Sequence, residues 1–465
     1  MKKRRPSGRK KGRQFNPKGF DLINADAAGI DVGASEHYVA VPVGRDPDGQ
    51  DVRRFEAFTA DLYALATWLK QCGVNSVAME STSVYWIPLF EILEAQGFAV
   101  CLVNPRSVKN APGRKTDVLD CQWLQQLHSY GLLQAAFRPD EQVCVLRSYM
   151  RQRAMLISSI TTSVQHMQKA LDQMNLKLHK VVADITGATG MRIIRRIIDG
   201  ERDPVALAQL RDPRCKNDYQ TIAKALQGNL RSEHLFALKQ AVELFDFYRS
   251  QIADCDAAIE QCLCTFEDRS NGNRGPGVKR KPGKNSFSFN AHDHLQRITG
   301  VDPTRIDGVD APSGLFIISE IGLDMSRWPS DKNFGSWLSL SPGSKVSGGK
   351  QLSSRTKPSA NRAAHYFRLC ANSLHRSNSA IGAFLRRKKA QKGAPKAITA
   401  TAYKIARIFY NMLKHGSEYV DPGQDYYEKR YRQRILNNLK RNAKKLGYTL
   451  VPTKENTNNM THETA

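Results

Sequence analysis

Four carboxylates in the first 120 residues stand where their chemistry can be used. Asp31 lies inside the apolar run AAGIDV, Glu80 closes the run SVAME, and Asp117 and Asp120 open a helical stretch in GRKTDVLDCQW. Divalent cations such as Mg²⁺ take hard oxygen ligands. Held between carboxylates, they clamp the attacking and leaving oxygens of a phosphodiester. The pair at 117 and 120 also has a plainer reading. An i, i+3 pair projects from one helix face, with Asp117 suited to N-cap and Asp120 to N3, where it favours the helix dipole. Glu80, followed by Ser-Thr, suits a cap as well. Asp31 is different, because a charge inside an apolar strand needs a partner. Together the strand acid, the strand-end acid and the helix pair point to a metal site, with which capping is compatible. Arg114 and Lys115, just ahead of the pair, are placed to meet a phosphate.

A second stretch, KVSGGKQLSSRTKPSANR, sets Ser347 before two glycines, with Lys345, Lys350, Arg355, Lys357 and Arg362 nearby. A serine hydroxyl can attack a phosphodiester while cations stabilise the developing charge. The residue types alone fit equally a turn whose basic side chains touch phosphates.

These groups need elements to hold them. Apolar runs predict strands at 27–32, 38–43, 52–58, 76–79 and 98–103, and helical periodicity appears at 61–72, 84–96 and 117–130. Three strands, then helix and strand in alternation, predict an α/β domain over 21–138. Two long apolar seams follow. One runs through Leu146, Tyr149, Leu156, Ile160, Val164, Met167, Leu171, Met174 and Leu178, interrupted by Arg153, and the other from Leu238 to Phe266. They predict a helical, coiled-coil-like stalk over 139–267, paired within the chain or between chains as a homodimer or tetramer. A basic, Gly/Pro/Asn-rich linker is expected at 268–294, a mainly helical domain at 295–420, and a basic helix and disordered tail at 421–465. Residues 1–20 read as a basic disordered tail.

With 70 Lys+Arg against 44 Asp+Glu, the net charge is +26, which calls for a polyanionic partner, nucleic acid first. No apolar run reaches the roughly 18–20 residues of a membrane span. The nine scattered cysteines include no C-x-x-C pair, so they read as reduced thiols of a cytoplasmic protein rather than a zinc site.

The order of acids resembles the RNase H-like (RuvC-like) nuclease fold. More specifically, GIDVGASEHYVAV, AMESTSVYWIPLFEIL and VNPRSVKNAPGRKTDVLDCQWL resemble the DEDD-type insertion-sequence transposases, and the likeness continues into the C-terminal unit. The resemblance implies that Asp31, Glu80, Asp117 and Asp120 bind Mg²⁺ or Mn²⁺, and that Ser347 is a covalent nucleophile. It implies DNA partners, element ends and target, and a structured guide RNA, in a nucleoid-associated recombinase. Two rivals share parts of the pattern. A RuvC-like structure-specific nuclease would use metal-activated water. An actin-like ATPase would use Asp-x-Gly in GIDVG as a phosphate loop, but leaves Glu80, Asp117 and Asp120 without a task.

Overall fold

The computed structural model describes residues 21–105, 117–270, 272 and 283–451. The expected tail at 1–20, residues 271 and 273–282 of the expected linker, Arg114 and Lys115, and the expected disordered end from 452 onward lie outside the described residues. The chain forms two compact units, the first ending at Arg138 and the second beginning at Pro139.

The first unit runs β1 (Ala27–Val32), β2 (Glu36–Ala40), β3 (Val52–Glu56), α1 (Thr59–Gln71), β4 (Ser76–Glu80), α2 (Trp86–Ala95), β5 (Ala99–Val103) and α3 (Asp117–Ser129). The sheet order is β3-β2-β1-β4-β5. β2 is antiparallel to both its neighbours, and β1, β4 and β5 are parallel. This mixed sheet is compatible with the expected RNase H-like architecture.

Alternation along the strands divides the sheet into two faces. Ile30, Val32, Val77 and Met79 pack with Leu65 and Leu69 of α1 and Leu89 and Leu93 of α2. Each such buried side chain contributes about 1.5–3 kcal/mol. The opposite face carries Gly29 and Ala78 and is crossed by α3. A Cβ at Gly29 would lie 2.2 Å from the Gln125 nitrogen and 2.3 Å from the Cys121 carbonyl oxygen, so the helix can approach only a glycine. β2 starts two residues earlier and ends sooner than the apolar run suggests. Its boundary is set by a tight turn in which the Gly33 N–H donates to the Glu36 carbonyl at 3.1 Å. Asp31-Val32-Gly33 therefore leads into a hairpin. Asp46, between β2 and β3, is a buried structural acid that accepts from Trp68 Nε1 at 2.9 Å, from the Gln50 N–H at 2.8 Å and from Arg53.

In the second unit, α4 (Glu141–Gln173) and α5 (Ser232–Cys264) are 33 residues each. They lie antiparallel within the chain. Gln142 Nε2 donates to Thr265 Oγ1 at 2.8 Å, and eleven residues along α4 Arg153 meets Asp256, nine residues back on α5. Short helices between them (Leu178–Val181, Ala188–Ile198, Pro204–Gln209 and Tyr219–Ala225) close a core around Met167, Leu171, Ile194, Leu238 and Phe245. The seam differs from the expected one at Tyr149, which is 39% exposed while Met150 is fully buried. The chain steps four residues from Leu146, not three, to bring Arg153 onto the inner face. Arg153 is the reason for the interruption. It is buried against Asp256, lies 4.0 Å from the Phe287 ring centroid, and donates to the Asn285 and Ser286 carbonyls at 3.2 Å.

The rest is mainly helical: α6 (Ala291–Thr299), α7 (Ala311–Ile321), a short helix Asp331–Trp337, the hairpin β6 (Lys345–Ser347) and β7 (Lys350–Ser353), then α8 (Arg362–Asn372), α9 (Ala380–Lys392), α10 (Ala394–His415) and α11 (Gly423–Lys445). Phe334, Phe367, Phe409 and Tyr410 form its aromatic centre. Among the described residues no helix is long and apolar enough to cross a membrane.

Candidate active site

The acid face is built by β1, β4 and α3. Because Gly29 admits α3, Asp31, two residues further along the same face, comes up beside the start of that helix. Ile30 and Val32 turn into the core on the other side. On β4, Ala78 pairs with Gly29 and shares its face, and Glu80, two residues on, ends the strand half-buried. Asp117 is exposed and Asp120 half-buried in the first turn of α3.

Asp31 reports what this placement does. Its pKa is raised from 3.8 to about 6, first by burial and then by the negative charges of Asp117, Glu80 and Asp120, against a hydrogen bond with the Val32 backbone. The four acids therefore share one electrostatic field. Among the described residues no three His, Cys, Asp or Glu side chains gather into a ready coordination shell. Like charges repel, and a divalent cation is the group that would reverse this. Hard carboxylate oxygens on three separate elements suit Mg²⁺ or Mn²⁺.

The row of side chains continues across the sheet. Tyr38 on β2 is directly opposite Asp31, and Arg54 on β3 directly opposite Tyr38. Tyr38 Oη donates to Glu36 Oε1 at 3.1 Å, and an Arg54 amino group donates to Glu36 Oε2 at 2.8 Å. The hydrogen bond to Glu36, with burial and nearby negative charges including Asp117, holds the Tyr38 phenol above its ordinary pKa. Sequence reasoning missed these three residues. The signal that could have found them is the three-residue turn after Val32, which sets the hairpin register.

Ser347 lies in the second unit, at the end of β6, paired with Lys350 across a two-residue turn. Gly348 and Gly349 have φ of 54° and 74°, the left-handed pair that such tight hairpins require. Ser347 and Lys350 are exposed on the hairpin, Arg355 and Lys357 are exposed on the irregular segment after it, and Arg362 is exposed at the start of α8. The Gly343 N–H donates to the Arg355 carbonyl at 3.1 Å and closes the base of the loop. Lys345 forms the other edge of the hairpin backbone.

Residues 28–176 match the family DEDD_Tnp_IS110, described as a transposase, and residues 292–386 match the family described as Transposase IS116/IS110/IS902 family. No curated protein matches the chain. The first match contains all four acids and the second contains Ser347 and its cations. The chain belongs to the IS110-type DEDD transposase family.

Proposed function

We propose that this transposase cleaves and exchanges DNA strands using the four acids and Ser347 as catalytic groups. The observation that carries the reading is the raised pKa of Asp31 beside Asp117, Glu80 and Asp120 on one sheet face. Asp31, Glu80, Asp117 and Asp120 would hold Mg²⁺ or Mn²⁺, which would supply charge neutralisation at the scissile phosphate. Ser347 Oγ attacks phosphorus. One P–O bond to the protein forms, one bridging P–O bond breaks, and the freed sugar hydroxyl carries the proton that serine released. The energy of the phosphodiester is kept in the serine ester, so rejoining to another strand needs no added fuel. Lys345, Lys350, Arg355, Lys357 and Arg362, with Arg114 and Lys115, hold phosphates of the element ends and target.

The charge of +26 supports nucleic-acid partners, with a structured guide RNA among them as sequence reader. Exposed Val145 and Tyr149 on α4 and Leu244 and Phe247 on α5 support assembly into a homodimer or tetramer along the helix pair. Such an enzyme would work in the cytoplasm on nucleoid DNA.

Denaturing gel analysis of labelled element-end DNA tests the serine step. Wild type should give a protein–DNA adduct that Ser347→Ala lacks. Adducts persisting in the variant would overturn the nucleophile, and cleavage without any adduct would favour metal-activated water.

A further inference from the structure

We propose that Tyr38 and Arg54 form a strand-binding subsite continuing the acid cluster along the sheet, Tyr38 stacking on a base of single-stranded DNA and Arg54 holding one of its phosphates. The inference rests on the catalytic reading of the four acids.

Directly opposed residues of neighbouring strands share a face. Asp31, Tyr38 and Arg54 are opposed in succession on β1, β2 and β3, so they form one line on the side that α3 crosses. Two inter-strand spacings, about 10 Å, separate its ends, a span suited to neighbouring groups on one nucleic-acid strand. The line becomes more open away from the acids. Tyr38 is half-buried, and the Arg54 side chain is 55% exposed.

The two adjacent arginines of β3 divide their work. Arg53 faces the other side, bonded to Asp46 and Asp48 and 5.1 Å from the Trp68 ring centroid. Arg54 stays on the acid face. Its exposed ion pair with Glu36 adds little to stability, so folding does not account for its position. Glu36 instead orients both neighbours, with one carboxylate oxygen on the Tyr38 phenol and the other on the Arg54 guanidinium. An aromatic face accepts any unstacked base, and a guanidinium matches phosphate geometry. The acids repel phosphates, and Arg54 places positive charge where the strand leaves them.

The test is fluorescence anisotropy of a labelled single-stranded DNA oligonucleotide with the full-length protein in Ca²⁺, together with cleavage in Mg²⁺. Tyr38→Ala should bind about tenfold more weakly, as loss of one stacked base implies, while Tyr38→Phe stays within about twofold because the ring is kept. Arg54→Gln should bind several-fold more weakly and lower the salt slope by about 0.7, the value for one phosphate contact on a single strand. Wild-type affinity and slope in Tyr38→Ala and Arg54→Gln would overturn the subsite. So would equal damage from Tyr38→Phe and Tyr38→Ala, or a loss confined to single-stranded RNA. Arg54 is exposed on an edge strand, so its variant keeps the test open if Tyr38→Ala fails to fold. Asp31→Asn separates the two readings. If it abolishes cleavage while both subsite variants bind normally, only the subsite falls; if it cleaves normally, the acid reading falls.

Discussion

At the residue scale, Asp31 is a carboxyl whose pKa is pushed to about 6 by burial and by three neighbouring acids. A cation binding there should stabilise the fold. Millimolar Mg²⁺ is expected to raise the melting temperature of wild type by about 2–4 °C, the effect of a ligand at several times its dissociation constant. Asp31→Asn should lose that rise, and an equal rise in the variant would place the ion elsewhere. Asp46 is the contrasting acid. Burial opposes its ionisation, but Trp68, Arg53 and the Gln50 N–H outweigh it and lower its pKa to about 2. A depressed carboxylate contributes stability that is complete above its unfolded pKa and is lost as the pH falls through the folded one. Melting temperature should therefore drop between pH 3.8 and about 2, and Asp46→Asn should flatten this limb while lowering stability at neutral pH. Asp31 was legible in the sequence because a charge interrupts an apolar strand. Asp46 was not, since nothing local marks an acid whose partner, Trp68, is 22 residues away.

At the element scale, close approach and buried pairing decide the geometry. Gly29→Ala would drive a Cβ into the backbone of α3 and should cost about 1–3 kcal/mol of stability, the range for overpacking, as measured by urea denaturation. It should also reduce cleavage by moving Asp117 and Asp120 away from Asp31. Asp256→Ala leaves the Arg153 guanidinium buried without its partner and should cost about 3–5 kcal/mol, whereas replacing both with apolar residues should recover most of the loss. If both variants melt alike, the pair is not what holds the stretch around Phe287. The strands and helices of the first unit were legible because apolar runs and helical periodicity are local signals. The long helices were legible too, but not the choice between pairing within the chain and between chains. An interruption at Arg153 does not name Asp256, 103 residues away. The hairpin register that sets Tyr38 opposite Asp31 likewise depends on one turn.

At the scale of the whole molecule, the acids and the serine belong to separate compact units and fall within two separate family matches, the first of which extends into the second unit. The central claim is that both act on one DNA substrate. The family could be read from GIDVG, AMES and GRKTDVLD, since the type and spacing of these residues survive without any knowledge of contacts. Strand transfer between labelled element-end DNA and target DNA, in Mg²⁺ and with any guide RNA that co-purifies, tests the claim most directly. Asp120→Asn and Ser347→Ala should each lower strand transfer by at least about 100-fold, in line with loss of a group acting at the transition state, with unchanged melting temperature. Wild-type transfer by either variant would contradict the account.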